Sequence, residues 1–443
     1  GVWDVTRRRG GARAVCAAVA LLTLAAAPGA SAARPPQPRP YALSDEAAEV
    51  RGTAEETDAP ALRPGLAADR IRPGEEKFYA VTLDAASSAH LAVTAVPEPG
   101  SRPAPTDGVQ AELRTVSGLL CDMDQSSAAG QAAYPLTVAT SRIVGPGTTR
   151  QCRAEGRYLL HVTRREGGAR SDAWPVEVSY LKEPPVRGSV PAPRPGAEEQ
   201  TDQNNARPSP PTGRPRTVHG GTGFDDAEAV RDGVWRDRFV PGETRYYRVP
   251  VDWGQRLYAD AEVPGAARKD GSPPPLVAAG LRLNVHNPAR APLDREQFRA
   301  WTGNGSRADR YSNPVRYENR SMDAASRTHL AGWYYVAVTV TAPMAEPFPG
   351  GVPVTLRIDV RGRARKGPAY AGDARAAGIG VAEDDRKAAG TGRTAGQVRA
   401  DARLRTLGWT GIGVGSALLL GLAGWFLAAR RRSAAAPGGR APR

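Results

Sequence analysis

The sequence predicts an all-β protein: two tandem antiparallel β-sandwiches of jelly-roll type, followed by one C-terminal transmembrane helix. Three observations predict this architecture. Residues 58–84 recur as residues 226–252 at an offset of 168 without a gap, and 13 of the 27 positions are identical. Apolar and polar residues alternate with a period of two inside both copies. An uncharged stretch at residues 407–429 follows them. Self-similarity of this kind indicates a duplicated folding unit.

The strands are predicted from alternation bounded by turn residues. Residues 78–83 alternate about a half-buried strand, and residues 246–251 match them in the second copy. A Pro-Gly turn precedes each of these strands, at residues 73–74 and 241–242. Each copy holds at least five or six strands with almost no helical pattern. This combination is typical of an antiparallel sandwich.

The composition divides the chain into eight segments. Residues 184–216 contain nine prolines and almost no large apolar side chain, so we expect a spacer that buries no core. The predicted segments are a signal peptide (1–32), an extended Pro-rich segment (33–50), the first sandwich (51–183), the Pro-rich linker (184–216), the second sandwich (217–361), a flexible juxtamembrane stalk (362–406), a transmembrane helix (407–429) and an Arg-rich cytoplasmic tail (430–443).

The N-terminus has the three parts of a secretory signal. Four arginines between residues 7 and 13 precede an apolar run at residues 14–27, and Ala30-Ser31-Ala32 fits the small-x-small cleavage pattern. The mature chain is then expected to begin at Ala33. The alternative is an uncleaved anchor, which the short apolar run disfavours.

The C-terminal apolar stretch predicts a membrane anchor. As a helix, its 23 residues span about 35 Å, enough for a hydrocarbon core of about 30 Å. Trp409 and Trp425 lie near its two ends, where interfacial aromatic residues belong, and Arg430, Arg431 and Arg432 follow directly. The expected localisation is a single-pass protein of the cell membrane with its ectodomain outside and a short tail inside.

The formal net charge of +14 does not indicate a nucleic-acid partner. Nearly all of the positive charge is arginine, scattered through the loops and both ends, and only five residues are lysine. This pattern is that of biased composition rather than of a basic patch. The partners that we expect are the membrane and an unidentified envelope protein or surface polymer.

Two cysteines remain after cleavage, Cys121 and Cys152. An exported chain with two cysteines predicts one disulfide, worth about 3–4 kcal/mol by the chain-entropy estimate, with two free thiols as the alternative. Beside Cys121, the aspartates Asp122 and Asp124 are weak candidates for calcium ligands. Their cluster lacks the glycine and distal glutamate of a calcium loop, so a solvated acidic loop is the other interpretation. No cofactor is expected.

Aromatic residues are the candidates for ligand binding. Trp333 and Tyr335 flank Tyr334 on one predicted strand, so the pair faces away from the side on which Tyr334 points inward. An exposed pair could stack on sugar rings, whereas packing beneath the long insertion of the second copy (residues 265–327) is the alternative. Trp301, in that insertion, is the candidate for a loop-borne surface.

No catalytic motif is present: the chain contains no His-Glu-x-x-His, Gly-x-Ser-x-Gly or phosphate-binding Gly-x-x-x-x-Gly-Lys-Ser/Thr. The motif order PGEEKFYAVTLD, HLAVTAV and GRYLLHV, repeated as PGETRYYRVPVD, RLYADAEV and GWYYVAV, resembles the bacterial pre-peptidase C-terminal domain. The resemblance covers the strands of both copies, about half of the mature chain. The resemblance implies tandem, divergent β-sandwich accessory modules in an exported membrane protein of actinobacterial type, and no activity.

The sequence therefore predicts a non-enzymatic protein of the cell envelope that displays two interaction modules outside the membrane. A carbohydrate- or wall-binding surface module is the first alternative. An extracellular hydrolase, or an accessory to one, is the remote alternative, because it needs a nucleophile and a base that the sequence does not place together.

Overall fold

Two β-sandwiches account for most of the residues that the structure describes. The structure, a computed structural model, describes residues 36–129, 132–145, 148–165, 172–188, 209–267, 271–272, 274–295, 297–391 and 425. Residues from Pro38 onward form one compact unit, and of the preceding unit only residues 36 and 37 are described. The predicted signal peptide, the middle of the linker and the tail lie outside the described residues.

The first sandwich consists of two five-stranded sheets. Its strands are β1 (Ala48–Glu49), β2 (Ala61–Leu62), β3 (Gly65–Ile71), β4 (Glu76–Leu83), β5 (Ser88–Ala95), β6 (Gly108–Thr115), β7 (Leu120–Ser127), β8 (Leu136–Arg142), β9 (Gly156–Arg165) and β10 (Trp174–Glu183), with a short helix α1 (Arg150–Arg153) before β9. One sheet has the order β1-β3-β10-β5-β8, and the other β2-β4-β9-β6-β7.

The second sandwich repeats this plan. Its strands are β11 (Arg216–Thr217), β12 (Glu228–Ala229), β13 (Gly233–Phe239), β14 (Thr244–Val251), β15 (Arg256–Pro264), β16 (Val277–His286), β17 (Arg299–Trp301), β18 (Gly305–Tyr311), β19 (Gly332–Val340) and β20 (Val352–Arg361). Three 3₁₀ helices accompany them, η1 (Tyr317–Ser321), η2 (Asp323–Thr328) and η3 (Ala342–Ala345). The sheet orders are β11-β13-β20-β15-β18 and β12-β14-β19-β16-β17.

The predicted duplication and the two sandwiches are confirmed. In each copy the eight strands of three or more residues follow the jelly-roll order, and all of their pairings are antiparallel. A two-residue strand adds to one edge of each sheet in parallel. The ten strands per copy agree with the prediction of at least five or six, and the two-residue edge strands carry no periodic signal by which they could be found.

Alternation places the cores between the sheets. Tyr334 points inward as predicted, fully buried, and its hydroxyl donates to the carbonyl of Leu330 at 2.9 Å. Tyr158 does the same in the first copy, donating to the carbonyl of Ala154 at 2.6 Å. In both copies a tyrosine hydroxyl therefore donates to the backbone carbonyl four residues upstream. This hydrogen bond fixes the turn that leads into the strand.

A buried aspartate joins the two sheets of each sandwich. In the first copy, Asp69 of β3 accepts a hydrogen bond from the Tyr79 hydroxyl of β4 at 2.7 Å and from the Lys77 ammonium at 3.0 Å. In the second copy, Asp237 accepts from the Tyr247 hydroxyl at 2.7 Å and from Arg245 at 2.7 Å. Burial and the nearby aspartate raise the pKa of Tyr247 well above its usual range, so the phenol stays a donor.

A glycine completes this network in each copy. The backbone N–H of Gly52 donates to Asp69 at 2.8 Å, and that of Gly220 donates to Asp237 at the same distance. A Cβ atom at either glycine would lie 2.7–2.8 Å from the ring of the network tyrosine, closer than side chains approach. Only glycine lets the backbone come this close to the ring.

The two sandwiches pack directly against each other. Strand β5 is buried along its whole length, because one face meets its own core and the other meets the second sandwich. Ala92 and Ala139 of the first sandwich contact Ala291 of the second, and these small side chains allow the close approach. The linker therefore does not separate two independent modules.

Two segments expected to be extended or flexible are packed. Tyr41, within the predicted Pro-rich segment, is buried against Tyr246 of the second sandwich and hydrogen bonds to Glu177 of the first. Residues 362–391 do not form a free stalk: Ile379 is buried beside Gly332, and a helix α2 (Glu383–Thr391) buries Ala388. Glycine content argued for flexibility, but the few apolar side chains in this segment are enough to dock it.

No helix within the described residues is long and apolar enough to span a membrane. The predicted transmembrane helix at residues 407–429 falls outside the described residues except for Trp425. The anchor and the predicted topology therefore stay predictions.

Removal of a single network hydroxyl should destabilise the fold. In Tyr247→Phe, the buried carboxylate of Asp237 loses one donor, and we expect the free energy of unfolding to fall by about 1–3 kcal/mol. Tyr79→Phe should act in the same direction on the first copy. Urea unfolding of the full chain measures both, with Tyr335→Phe as the control because its hydroxyl is not part of the network. Equal stability of Tyr247→Phe and the control would contradict this role.

Candidate functional site

The interface between the sandwiches contains two buried ion pairs, and strand β10 supplies both acids. Glu177 pairs with Arg290 of the second sandwich and also accepts from the Tyr41 hydroxyl at 2.9 Å and the Ser44 N–H at 2.8 Å. The carboxylate is about 1% exposed. Since every oxygen of Glu177 has a donor, the charge is fully compensated.

Arg290 reaches this position through an unusual backbone. It is the only non-glycine residue with positive φ (+63°) among those described, at a turn that Asn287 closes by accepting two backbone N–H groups with its side chain. A left-handed arginine is strained by the order of 1 kcal/mol. The turn is thereby fixed with the guanidinium inside the interface.

The second pair belongs to a larger cluster around Glu183. One oxygen of Glu183 accepts from Arg320 at 2.6 Å and from the Tyr370 hydroxyl at 3.0 Å; the other faces His90 Nε2 at 3.0 Å. The ring of His329 lies beside that of His90, with centroids 5.1 Å apart. The cluster therefore joins β5 and β10 of the first sandwich to the insertion of the second and to the segment after it.

Burial and charge set the protonation of this cluster. Burial alone would raise the pKa of Glu183, but the hydrogen bond from His90 and the charge of Arg320 outweigh it, so the pKa lies well below its usual range. Burial, with His90 and Arg320 nearby, lowers the pKa of His329 to about 3. Near neutral pH, Glu183 is therefore ionised and His329 is neutral.

A polar cleft of about 410 Å³ opens beside the cluster, between the two sandwiches. The first sandwich contributes β5, β7, β8 and the turn at α1, and the second contributes the loop after β16 together with η1 and η2. Its side chains with ionisable or hydrogen-bonding groups include His90, Asp122, Thr140, Arg320, Arg327 and His329.

Three side-chain atoms that line or back this cleft are buried without a hydrogen-bond partner. They are Thr140 Oγ1, Arg320 Nη1 and His329 Nε2. Leaving such a group unpaired costs about 1–3 kcal/mol, so each calls for an explanation. A bound molecule or ion that supplies the missing partners would remove this cost.

One lip of the cleft is an apolar hairpin. Between residues 36 and 391, the exposed large apolar side chains of the described residues are those of Val116, Leu119, Leu120, Met123 and Leu276. Four of these five fall within the eight residues 116–123, at the β6–β7 turn and the start of β7. We refer to Val116, Leu119, Leu120 and Met123 as the hairpin patch. Leu120 also lines the cleft, so the patch and the cleft are continuous.

The predicted disulfide is confirmed and holds this hairpin. Cys121 of β7 is bonded to Cys152 of α1, with their Cα atoms 5.6 Å apart. The helix is fixed in turn by Arg142, a buried side chain of β8 that donates to the carbonyls of Cys152 and Ala154. The hairpin patch is thus attached to a rigid support rather than to a free loop.

Asp122 and Asp124 have a structural role that differs from metal binding. Asp122 accepts from the backbone N–H of Ser141 at 2.7 Å, and Asp124 accepts from that of Ala139 at 2.9 Å. Strand β8 is at the edge of its sheet, so its outward N–H groups have no partner strand. The two aspartates, two positions apart on β7, accept hydrogen bonds from these N–H groups. Asp124 also pairs with Arg295 of the second sandwich. The acidic loop expected around these residues is instead a strand.

The three predicted aromatic candidates are packed rather than displayed. Trp301, expected on a loop surface, is fully buried on β17, and its indole N–H donates to the carbonyl of Pro264 at 3.0 Å. The insertion thus contributes a core residue to the sheet edge. Trp333 is half-buried between Arg248, 4.1 Å from its ring, and Asp385 of α2. Tyr335 packs edge-on against buried Phe224 at 5.0 Å.

The membrane-anchor residues Trp409, Arg430, Arg431 and Arg432 lie outside the described residues. Trp425 is described and is exposed.

A second cavity, of about 550 Å³, lies at the edge of the first sandwich near Trp174 and Arg164. The guanidinium of Arg164 is fully engaged there by Asp107 and by backbone carbonyls, so this cavity presents no comparable unpaired group.

Comparisons with known proteins assign no family. No protein-family model matches the chain, and no curated protein matches it. A solved structure of an uncharacterized protein from Burkholderia cenocepacia is similar at 8% identity, over 70% of this chain and 83% of that chain, with a TM-score of 0.17. The tandem CBM22 domains of Paenibacillus barcinonensis Xyn10C match at 15% identity (70% and 95% covered, TM-score 0.16), and the CUB1-EGF-CUB2 domain of human MASP-1/3 at 8% (66% and 99%, TM-score 0.14). TM-scores this low carry no argument.

Sequence reasoning missed the cluster and the cleft. Glu177 and Glu183 occur on a strand with alternating polarity, and such residues are normally on the solvent face. His90 and His329 are separated by 239 positions and belong to different copies, so no local spacing connects them. One usable signal was that Arg290, Arg320 and Arg327 all fall within residues 265–327, the long middle segment of the second copy.

The buried His286 predicts a pH-dependent stability. Burial, with the charges of Arg282 and Arg290, lowers its pKa to about 3, whereas the unfolded chain has a value of about 6.5. Between these two pH values only the unfolded chain binds the proton. The contribution of neutral His286 to the free energy of unfolding is therefore complete above pH 6.5 and is lost as the pH falls. Between pH 7 and pH 5, the free energy of unfolding of the wild type should fall by on the order of 2 kcal/mol more than that of His286→Gln.

Urea unfolding of both proteins at several pH values measures this difference. The comparison cancels titrations that the two proteins share, such as that of Glu228, whose raised pKa of about 7 acts in the opposite direction. Parallel stability profiles for the two proteins would show that His286 is not the group responsible.

Proposed function

We propose that this chain is a non-enzymatic, single-pass protein of the cell envelope that displays its two sandwiches outside the membrane as one binding body. We infer further that it binds a partner protein through the hairpin patch and the adjoining cleft. The observation that carries the proposal is the concentration of exposed apolar side chains at residues 116–123, beside a polar cleft. An apolar patch with a polar surround is typical of protein–protein interfaces.

The rigidity of the patch supports this proposal. The Cys121–Cys152 disulfide and Arg142 fix the hairpin before any partner arrives, which lowers the entropic cost of association. The cleft next to the patch supplies the unpaired groups of Thr140 and Arg320. A partner side chain with acceptor atoms can pair with them, and an apolar contact on the hairpin can add affinity.

The edge of β7 favours side-chain contact over strand addition. The N–H groups of Met123 and Gln125 are occupied by the carboxylates of Asp122 and Asp124, each at 2.9 Å. A partner strand would find these donors already used. The partner is therefore expected to present apolar side chains rather than an extended backbone.

A carbohydrate- or wall-binding module is less well supported. That alternative rests on three aromatic residues that are engaged within the fold. Trp301 is fully buried, Arg248 lies over the ring of Trp333, and Tyr335 packs edge-on against Phe224. An enzymatic role lacks an activated nucleophile at the cleft: Ser141 Oγ donates to Asp122 at 3.1 Å, and its cross-strand neighbour His90 is engaged by Glu183.

Site-specific crosslinking tests the partner. A photoreactive amino acid at position 119 of the full chain, in native cells, should crosslink to one protein. Leu120→Asp with Met123→Asp should reduce this crosslink at least about fivefold, because a charge opposes burial of the patch. Position 276, a leucine on the second sandwich that is more exposed than Leu119 (69% against 39%), is the control for nonspecific contact.

The outcomes separate the two binding hypotheses. The same protein captured from positions 119 and 276, or a crosslink unaffected by the two aspartates, would overturn the proposed interface. Crosslinking to polysaccharide in place of protein, with binding of the purified chain to isolated wall material, would support the carbohydrate alternative instead.

Truncation tests the topology separately. Deletion of residues 407–432 removes the predicted anchor while leaving the described body intact, so the protein is expected in the medium rather than in the membrane fraction. Immunoblotting of the two fractions measures this. A truncated chain that stays with the membrane would contradict a single C-terminal anchor.

A further inference from the structure

We propose that His90, Glu183 and His329 form a site for one divalent transition-metal ion, with Zn²⁺ the best match to the ligand set, and that the ion ties the two sandwiches together. This inference goes beyond the proposed partner binding and does not depend on it. Two imidazoles and one carboxylate are a common zinc ligand set.

The geometry brings the three ligand atoms close together. One ligand atom from each residue lies within 4.8 Å of the other two, and all three side chains are buried. His90 Nε2 and Glu183 Oε2 are 3.0 Å apart. Metal bonds of about 2.0–2.2 Å in a tetrahedron separate ligand atoms by about 3.3–3.5 Å. The first pair is therefore almost in place, and the ligand atom of His329, within 4.8 Å of the other two, needs to approach by at most about 1.5 Å.

His329 has the form that a metal ligand needs. Its Nδ1 faces the carbonyl oxygen of Ser326, which can only accept, so Nδ1 carries the hydrogen. Nε2 therefore presents a lone pair, and this atom is buried without a hydrogen-bond partner. A histidine ligand held by a backbone carbonyl through its other nitrogen is the usual arrangement around a bound metal.

His90 and Glu183 can bind the ion once the hydrogen between them has moved. His90 Nε2–H donates to Glu183 Oε2, and the ion would take the place of this hydrogen. A neutral imidazole would then carry its hydrogen on Nδ1, so Nε2 and Oε2 bind the ion without net loss of a proton. Glu183 keeps its orientation meanwhile, because Arg320 and Tyr370 hold its other oxygen.

The local charge can accept a cation. Around the cleft and cluster, three carboxylates (Asp122, Glu183 and Asp323) stand against two guanidinium groups (Arg320 and Arg327). The excess of one negative charge offsets part of the repulsion between Arg320 and an ion on the far oxygen of Glu183.

The ion would connect the two sandwiches. His90 and Glu183 belong to β5 and β10 of the first sandwich, and His329 follows η2 in the second. Three protein ligands leave one position of a tetrahedron open. Because His90 and His329 line the cleft, water or a partner side chain would complete the coordination from that side.

Metal binding by the untagged full chain, stripped with a chelator, tests the site. Titration with Zn²⁺ should show one ion per chain and a higher unfolding temperature. Co²⁺ in place of Zn²⁺ should give visible absorption of tetrahedral intensity. His329→Gln and His90→Gln should each weaken binding at least about 100-fold.

Two histidines provide matched controls. His286→Gln removes another buried histidine, and His219→Gln removes an exposed one; both should bind one ion as the wild type does. If His329→Gln fails to fold by circular dichroism, His90→Gln carries the test. The absence of stoichiometric binding to the wild type, or equal binding by the folded site variants, would overturn the proposal.

Discussion

Two glutamates on one strand, Glu177 and Glu183, determine how the two sandwiches are joined. Both are buried on the outer face of the first sandwich, and each meets an arginine from the insertion of the second. A buried ion pair adds little net stability, but removal of one partner leaves an uncompensated charge and costs about 3–5 kcal/mol. Any other docking that buried these carboxylates without their arginines would incur that cost. The pairs therefore disfavour such orientations, and the cleft lies beside the second of them.

The duplication and the interface follow opposite rules. The Asp–Tyr–Gly network is the same in both copies, since Asp69 and Asp237 each join a pair of sheets through equivalent partners. The interface, in contrast, uses residues found in one copy alone. Two identical outer faces would carry like charges at equivalent positions, whereas acids on one face and arginines on the other attract. Divergence after duplication was thus needed for the two units to pack as one body.

Much of the fold, and little of the site, could be predicted from sequence. Period-two alternation and Pro-Gly turns identify the strands because these signals are local, and the lone cysteine pair identifies the disulfide. Trp301 was misplaced because an aromatic residue in an insertion has the same sequence signal whether it lies in a loop or fills a sheet edge. Glu183 and His329 could not be connected, since their proximity depends on the packing of two domains, which leaves no periodic trace in either strand.

The carboxylate of Glu183 links binding at the cleft to the integrity of the whole body. Its two oxygens are shared among Arg320, Tyr370 and His90, which come from an insertion, a docked C-terminal segment and the first sandwich. The Glu183 carboxylate is buried and poorly screened. A change at any one of its donors therefore alters how strongly the carboxylate interacts with the other donors. A ligand or ion that engages His90 or His329 therefore acts on the same carboxylate that holds the segment around Tyr370. Occupancy of the cleft and docking of residues 362–391 must then be thermodynamically coupled, in proportion to how strongly each alters the bonds of Glu183.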